Sequence, residues 1–456
     1  MRASSRPARA LVPLAARPLL VVASGLLVLA AETALAASPH WSGWRGPEGL
    51  GIATETNVPL EWSATKNVVW KSAIPGRGHS SPVVWGDRIF LTTAIEGEVV
   101  PGAAPVKHVI EGKDFTHPDG VGADRKQTLK VLALDAKTGK ILWERTAWEG
   151  TPYDTRHKRG SFASPTPVVD GKRVYAYFGS EGLYVYEFDG KPAWSWQTGG
   201  IASFGVGVGT SPVLHGSNVI VQCDEDNGEK SFIAALDRET GKEAWRVKRE
   251  VEVSWATPIL VKSEKREELV TAGNQAVIAY DPATGKELWR MKGLASNAVP
   301  SPVAGDGVVV LSAGYPAKIA VAVKPGGSGD VTEAGRVLWR YDKGTAYVPS
   351  PILVDGLLYL VTDKGLVTCL DAKTGKVHYE GGRPPAGASF MASPVAVAGH
   401  LLMPSMDGET VVLKAGTTHE VVRSNPLGEP IAASFAVAGG RIYIRGESHL
   451  FAIGTP

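Results

Sequence analysis

Cysteine is nearly missing from this 456-residue chain: there are two, Cys223 and Cys369. They fall in different repeat units and need not lie within bonding distance, so no disulfide is expected. An excess of either charge is missing too. Lysine plus arginine number 48 against 46 acidic residues, and a near-neutral chain gives no support to nucleic-acid binding. No long apolar run occurs after Ala31, so no helix further along is expected to span a membrane. A Gly-x-Ser-x-Gly elbow is also absent, which removes one hydrolase nucleophile signature.

The N-terminus does carry an apolar run. Arg2, Arg6, Arg9 and Arg17 precede Leu19 to Ala31, and Ala34-Leu35-Ala36 follows as a small-residue cleavage site. The run is too short for a transmembrane helix and reads as a signal peptide over residues 1–36. No cysteine follows it, so a lipid anchor is not expected, and the scattered arginines do not indicate the twin-arginine route. Residues 37–456 are then expected in the periplasm or outside the cell. The expected cleavage removes four arginines and one glutamate and leaves 44 basic against 45 acidic residues.

What the sequence has in quantity is a repeat. Ser/Thr-Pro anchors stand at Ser81-Pro82, Thr166-Pro167, Ser211-Pro212, Thr257-Pro258, Ser301-Pro302, Ser350-Pro351 and Ser393-Pro394, and an eighth, Ser434-Phe435, lacks the proline. From the second anchor on, the spacings are 45, 46, 44, 49, 43 and 41 residues; the first is 85, because residues 94–128 are inserted. Each period reads as four short strands, and Gly86-Asp87, Asp170-Gly171 and Asp355-Gly356 stand between two apolar runs as hairpin turns. Four periods close on Asp-x-x-Thr-Gly-Lys-x-x-Trp or a close variant: Asp135 to Trp143, Asp237 to Trp245 and Asp281 to Trp289, with Tyr379 replacing Trp in a fourth copy. Asp and Thr can bond the turn backbone, Gly supplies positive φ, and the Trp can pack between neighbouring sheets.

Four strands per period of about 40–45 residues indicate a β-propeller. The expectation is all-β: eight blades of four antiparallel strands. The chain stops before an eighth Lys-x-x-x-Trp strand, but Lys66-Asn-Val-Val-Trp70-Lys71 has that character. Residues 66–73 are therefore expected to complete the C-terminal blade and close the ring. Trp70, Trp143, Trp194, Trp245, Trp289 and Trp339 are read as blade packing, although they mimic a sugar-binding set.

The Asp-x-x-Thr-Gly-Lys-x-x-Trp repeat resembles that of the pyrroloquinoline quinone (PQQ)-type propellers. This group includes quinoprotein alcohol dehydrogenases and the non-enzymatic propeller subunit of the outer-membrane barrel assembly machine. Trp41-Ser-Gly-Trp44-Arg-Gly-Pro47-Glu-Gly-Leu-Gly51 is similar to the start of many secreted PQQ-like repeat proteins. The resemblance runs from about residue 41 to the end and implies the fold more strongly than a function. The dehydrogenases carry an adjacent cysteine pair over the quinone and a calcium-binding set beside a catalytic Asp. This chain has no Cys-Cys pair, and that set cannot be placed on its residues. The assembly subunit is a lipoprotein, and the lipid-attachment cysteine is missing here.

The segments before each anchor are expected to converge on one mouth of the central channel. They supply the candidate ligand-binding residues Arg77, His79, Arg156, His157, Arg159, Phe204, Trp255, Asn297, Tyr347 and Phe390. A ring of aromatics with a basic cluster suits a planar anion, a peptide or a polysaccharide; equally, these residues can fill the channel as packing. The acidic turn Asp224-Glu225-Asp226-Asn227-Gly228 begins like a calcium loop, but the twelfth position is Ala235, where a bidentate Glu is needed; a solvated hairpin tip is expected. The insertion, with His108, Asp114, His117, Asp119 and Asp124, matches no metal-ligand spacing and reads as a surface loop, one that can cover a channel mouth. Gly205-Val-Gly-Val-Gly209 lacks the Lys-Ser/Thr of a phosphate loop.

These readings favour an exported non-enzymatic propeller that binds an envelope or secreted protein partner, with no catalytic residue, metal or cofactor expected. The alternative is an oxidoreductase holding PQQ with Ca2+ in the funnel. Glycan binding, or a hydrolytic or lyase activity, stands behind both.

Overall fold

A serine or threonine followed by proline offers a hydroxyl acceptor beside a residue with no N–H of its own. The structure, a computed structural model describing residues 40–455 other than 111 and 388, shows what this dipeptide does. Ser81 donates its backbone N–H to Thr166 Oγ1 (2.9 Å), Thr166 to Ser211 Oγ (3.0 Å), and Ser211 to Thr257 Oγ1 (3.0 Å). Thr257 continues to Ser301 (2.8 Å), Ser301 to Ser350 (2.9 Å), Ser350 to Ser393 (2.9 Å), and Ser393 to Ser434 (3.0 Å). The anchors thus form a belt of hydroxyl-to-backbone bonds around the axis. Ser434 keeps the hydroxyl even though the following proline is gone. At the remaining junction Arg445 reaches across instead, from Nη1 to Ser80 O (3.1 Å), Ser80 Oγ (2.6 Å) and Thr92 O (2.8 Å).

Among the described residues, eight sheets radiate from this belt as the blades of a propeller, each built on four antiparallel strands; His40–Trp41 adds a fifth strand to blade 1, and Gly329–Asp330 adds a parallel fifth to blade 4. Blade 2 is typical: Val168–Val169, Arg173–Tyr177, Leu183–Glu187 and Pro192–Trp196, in that order. Strands near the axis are buried on both faces; every residue of Val308–Ala313 is buried. Outer strands alternate with solvent, as Glu243–Lys248 does. Adjacent blades pack face to face through apolar layers. Tyr175 and Val185 of blade 2 meet Val219, Val221 and Ala234 of blade 3, and full burial of each such Val contributes roughly 1.5–3 kcal/mol.

Blade 8 is assembled from both ends of the described chain. Ala436–Ala438, Arg441–Arg445 and His449–Ile453 are joined by Val68–Ala73, with Trp70 opposite Ala452 and Ser72 opposite Leu450. The tryptophans explain the rest of the repeat. Trp70 Nε1 donates to Ala136 O of blade 1 (3.1 Å), Trp143 to Phe188 O of blade 2 (2.9 Å), Trp194 to Arg238 O of blade 3 (2.9 Å) and Trp339 to Ala372 O of blade 6 (2.9 Å). Trp143 lies on the shorter Phe188-Asp-Gly-Lys191 turn of blade 2, and Trp70, Trp194 and Trp339 lie on the Asp-x-x-Thr-Gly-Lys turn of the following blade. Gly139, with φ +73°, is required there: a Cβ would sit 2.5 Å from the Trp70 ring. Blade 5 lacks such a turn, and Trp289 instead donates to the buried carboxylate of Glu268 in its own blade (2.8 Å).

The insertion is more structured than a surface loop. Arg88–Val99 and Arg125–Asp135 extend far past their neighbours as one paired hairpin, from Arg88 opposite Asp135 to Val99 opposite Arg125. Beyond it lie a small hairpin, His108–Ile110 with Lys113–Phe115, and Gly120–Val121, which pairs with Arg156–His157. Cys223 and Cys369 are buried free thiols. The expected signal peptide, residues 1–36, lies outside the described residues.

Candidate functional site

The connections that lead into the anchors gather at one mouth of the channel. Arg77 bridges Ala94 through its backbone, and its carbonyl accepts the Ser161 hydroxyl (2.9 Å). His79 is half-buried. Burial first, then the charges of Arg77, Arg445 and Arg156, push its imidazole down to about 3, so it is neutral at physiological pH.

The basic cluster divides. Arg156 is 8% exposed; Nη1 donates to the carbonyls of His157, Lys158 and Gly160, and Nη2 to Glu96 (3.2 Å). His157 lies 3.3 Å from Asp119, and burial lowers its pKa despite that carboxylate. Arg159 alone of the three is exposed.

The aromatic candidates divide in the same way. Trp255 Nε1 donates to Gly207 O (2.7 Å), and its backbone N–H to Ala298 O beside Asn297, which has φ +56°. Phe204, at φ +51°, donates its N–H to Asp226 (2.6 Å) and meets Phe115 of the insertion edge-on. Phe390 is 1% exposed, wedged against Gly365 and Gly387, and belongs to the apolar core rather than the mouth. Tyr347 is 38% exposed and tilts against Tyr315, itself 58% exposed, at 5.6 Å between ring centres.

Sequence reasoning missed the main polar contact of this mouth. His108 is 5% exposed and stands between two buried carboxylates: Nδ1 is 2.6 Å from Asp226 and Nε2 3.0 Å from Asp154. The bond to Asp154, then that to Asp226, raises the imidazole to about 10. The acidic turn is therefore no solvated tip. Asp226 docks the insertion, Asp224 pairs with the buried Arg249 (2.7 Å), and Glu225 Oε1 accepts the Lys230 N–H (2.9 Å). Histidine and aspartates within an insertion were the available signal, but the partners lie 46 and 118 residues away.

The opposite end of the channel is crossed by residues 40–53. Trp41 pairs with Val84, Ser42 O accepts Val169 N–H (2.8 Å), and Gly51 and Ala53 bracket Ala396 (2.8 Å each). Arg45, 1% exposed, donates Nη2 to Pro351 O (2.8 Å). Beside this segment is a cavity of about 530 Å3 lined by Trp44, Leu50, Ile259, Lys262, Glu267 and Asp306 among others. None of the ten candidate residues lines it. At the first mouth the cavities are about 20 Å3.

A family model described as outer membrane protein assembly factor BamB matches residues 118–230, 229–377 and 273–455, well over half of the chain. The chain belongs to this family. Its PQQ-type propeller is similar to BamB from Moraxella catarrhalis, at 14% identity and TM-score 0.52 over 80% of this chain and 98% of that one. It is also similar to a europium-containing methanol dehydrogenase (12%, TM-score 0.59, 90% of each chain). A third likeness is to the quinohemoprotein alcohol dehydrogenase from Comamonas testosteroni (12%, TM-score 0.60, 92% of this chain and 81% of that one). Identities this low show the fold alone. No curated protein matches the chain by sequence.

Neither of the two small cavities at this mouth accommodates a PQQ–calcium pair. A cavity of about 20 Å3 holds one water-sized group, not a tricyclic quinone. The mouth carboxylates Asp154, Asp224 and Asp226 are held by His108 and Arg249. No mechanistic step through a quinone follows from these residues.

Proposed function

We propose that this protein is an exported scaffold of the cell envelope that binds a protein partner across the mouth bearing the anchors' connections. The observation that carries this reading is the exposed Tyr315–Tyr347 pair on that face. Tyrosine and arginine are enriched among the anchors of protein interfaces, and tyrosine buries a large area with few rotatable bonds. Exposed Arg159 adds a cation to the same mouth. The name of the matched family points in the same direction, and a cleaved signal peptide over residues 1–36 would deliver the chain there.

The test begins with the rival. Purified chain lacking residues 1–36 is titrated with PQQ, with and without Ca2+, following quinone absorbance and tryptophan quenching. No saturable binding at high micromolar quinone is expected. Calcium-dependent binding at one equivalent would replace the scaffold by an oxidoreductase. In parallel, a photo-crosslinker at Tyr347 in cells should capture a discrete envelope protein, and the pair Tyr315→Ala, Arg159→Glu should abolish that adduct without lowering Tm.

A further inference from the structure

Two arginines at the seam between blades 8 and 1, Arg77 and Arg445, have no carboxylate partner among the described residues. Arg445 is 2% exposed, and all three of its hydrogen bonds run from Nη1 to oxygens of Ser80 and Thr92, which are neutral. Arg77 Nε is buried without a partner. Arg249 supplies the contrast: equally buried, it pairs with Asp224. A buried guanidinium lacking a counter-charge is costly, and a buried unpaired N–H adds to that cost.

Both arginines line one cavity of about 20 Å3, with His79 and Gly78 on its wall. Gly78 is needed there, since a side chain would collide with the Arg445 guanidinium. The acids nearby do not supply the missing charge. Glu429 accepts from the Ser448 and His449 N–H groups and from the His449 ring, and it also pairs with Lys71. Glu447, on the rim, is exposed. Glu96 is held by Arg125 and Arg156. Burial and then the charges of Arg77, Arg445 and Arg156 act on His79, so three arginine charges converge on this corner.

We propose that Arg77 and Arg445 hold a carboxylate in this cavity, one oxygen entering between the two guanidinium groups. The planar fork of arginine matches a carboxylate, and a cavity of about 20 Å3 admits one oxygen-sized group. The carboxylate comes either from a small free acid or from a peptide chain presented at the mouth. The site goes beyond the scaffold reading and does not depend on it: it stands if Tyr347 captures nothing.

The experiment is a thermal-melt and calorimetric titration of the chain lacking residues 1–36. Sodium acetate and sodium formate are added at constant ionic strength. Saturable stabilisation is expected in the wild type, with affinity weakened about tenfold or more in Arg77→Gln, the loss of one charge-assisted hydrogen bond. Arg77→Lys, which keeps charge and stem but removes the fork, should weaken binding similarly and serves if the glutamine variant does not fold. A short N-acetylated peptide with a free C-terminus is compared with its amide. If the acid form binds more tightly than acetate, the natural source is a peptide chain; equal affinity assigns the site to small free acids. No saturable response to either salt, an unchanged response in both Arg77 variants, or tighter binding of sulfate than of acetate would overturn the proposal.

Discussion

Trp70 hydrogen-bonds the carbonyl of Ala136 at 3.1 Å, and through that contact blade 8 is fastened to blade 1. Its ring covers Gly139, at the centre of the first Asp-x-x-Thr-Gly-Lys turn. Trp70→Ala should lower the unfolding free energy by roughly 2–4 kcal/mol, less than a fully buried Trp because the side chain is half-exposed. Gly139→Ala should be similarly harmful, because it adds a Cβ against the ring at a positive φ. Urea denaturation checks both. Unchanged midpoints would show that the ring is closed by other contacts.

The anchor belt predicts an asymmetry between two conservative substitutions. Ser211→Thr keeps the hydroxyl that accepts Thr166 N–H and should be nearly neutral. Ser211→Ala leaves that buried N–H unpaired and should cost about 1–3 kcal/mol. Equal stability of the two variants, measured by chemical denaturation, would mean that the belt is incidental to the packing of the blades.

His108 predicts a pH dependence whose sign is fixed. Its folded pKa, about 10, lies above the ordinary value of about 6.5. Its contribution is therefore complete below about pH 6.5, declines as pH rises, and is gone above about 10. The denaturation midpoint should fall across that window, and His108→Asn should flatten the slope. The same variant leaves Asp154 and Asp226 buried without their cation, so it should destabilise by roughly 3–5 kcal/mol and expose residues 100–124 to protease. A wild-type midpoint that does not move between pH 6.5 and 10 would refute the pairing.

The features legible in the sequence were those repeated along it. Eight Ser/Thr-Pro-like anchors, near-constant in spacing from the second on, gave eight blades, and Asp-x-x-Thr-Gly-Lys-x-x-Trp marked the last two strands of four of them. The same four residues recur in the same places, so local pattern and fold agree. What the sequence hid depends on contacts made once. His108 and Asp226 are 118 residues apart, and each looked exposed beside its own neighbours. The acidic turn read as solvated because Arg249, which neutralises Asp224, lies 25 residues further on, just past the strand Glu243–Lys248. Phe390 read as a mouth residue by its place before an anchor, but Gly365 and Gly387 open a slot that draws it into the core. Nothing in Trp41 to Gly51 signalled that this segment lies across the inner strands of blades 1, 2 and 7.

The pairing of Val68–Ala73 with His449–Ile453 also sets an order of assembly. The first of these strands leaves the ribosome, and on the expected route crosses the membrane, before any blade exists; its partner follows only after seven blades have been made. Throughout that interval the early strand has no sheet to join, and blade 1 keeps one face bare where Trp70 will later lie. The circle is thus sealed by a contact of very long sequence separation, the kind that forms slowly, and every intermediate before it is an open arc with two adhesive ends.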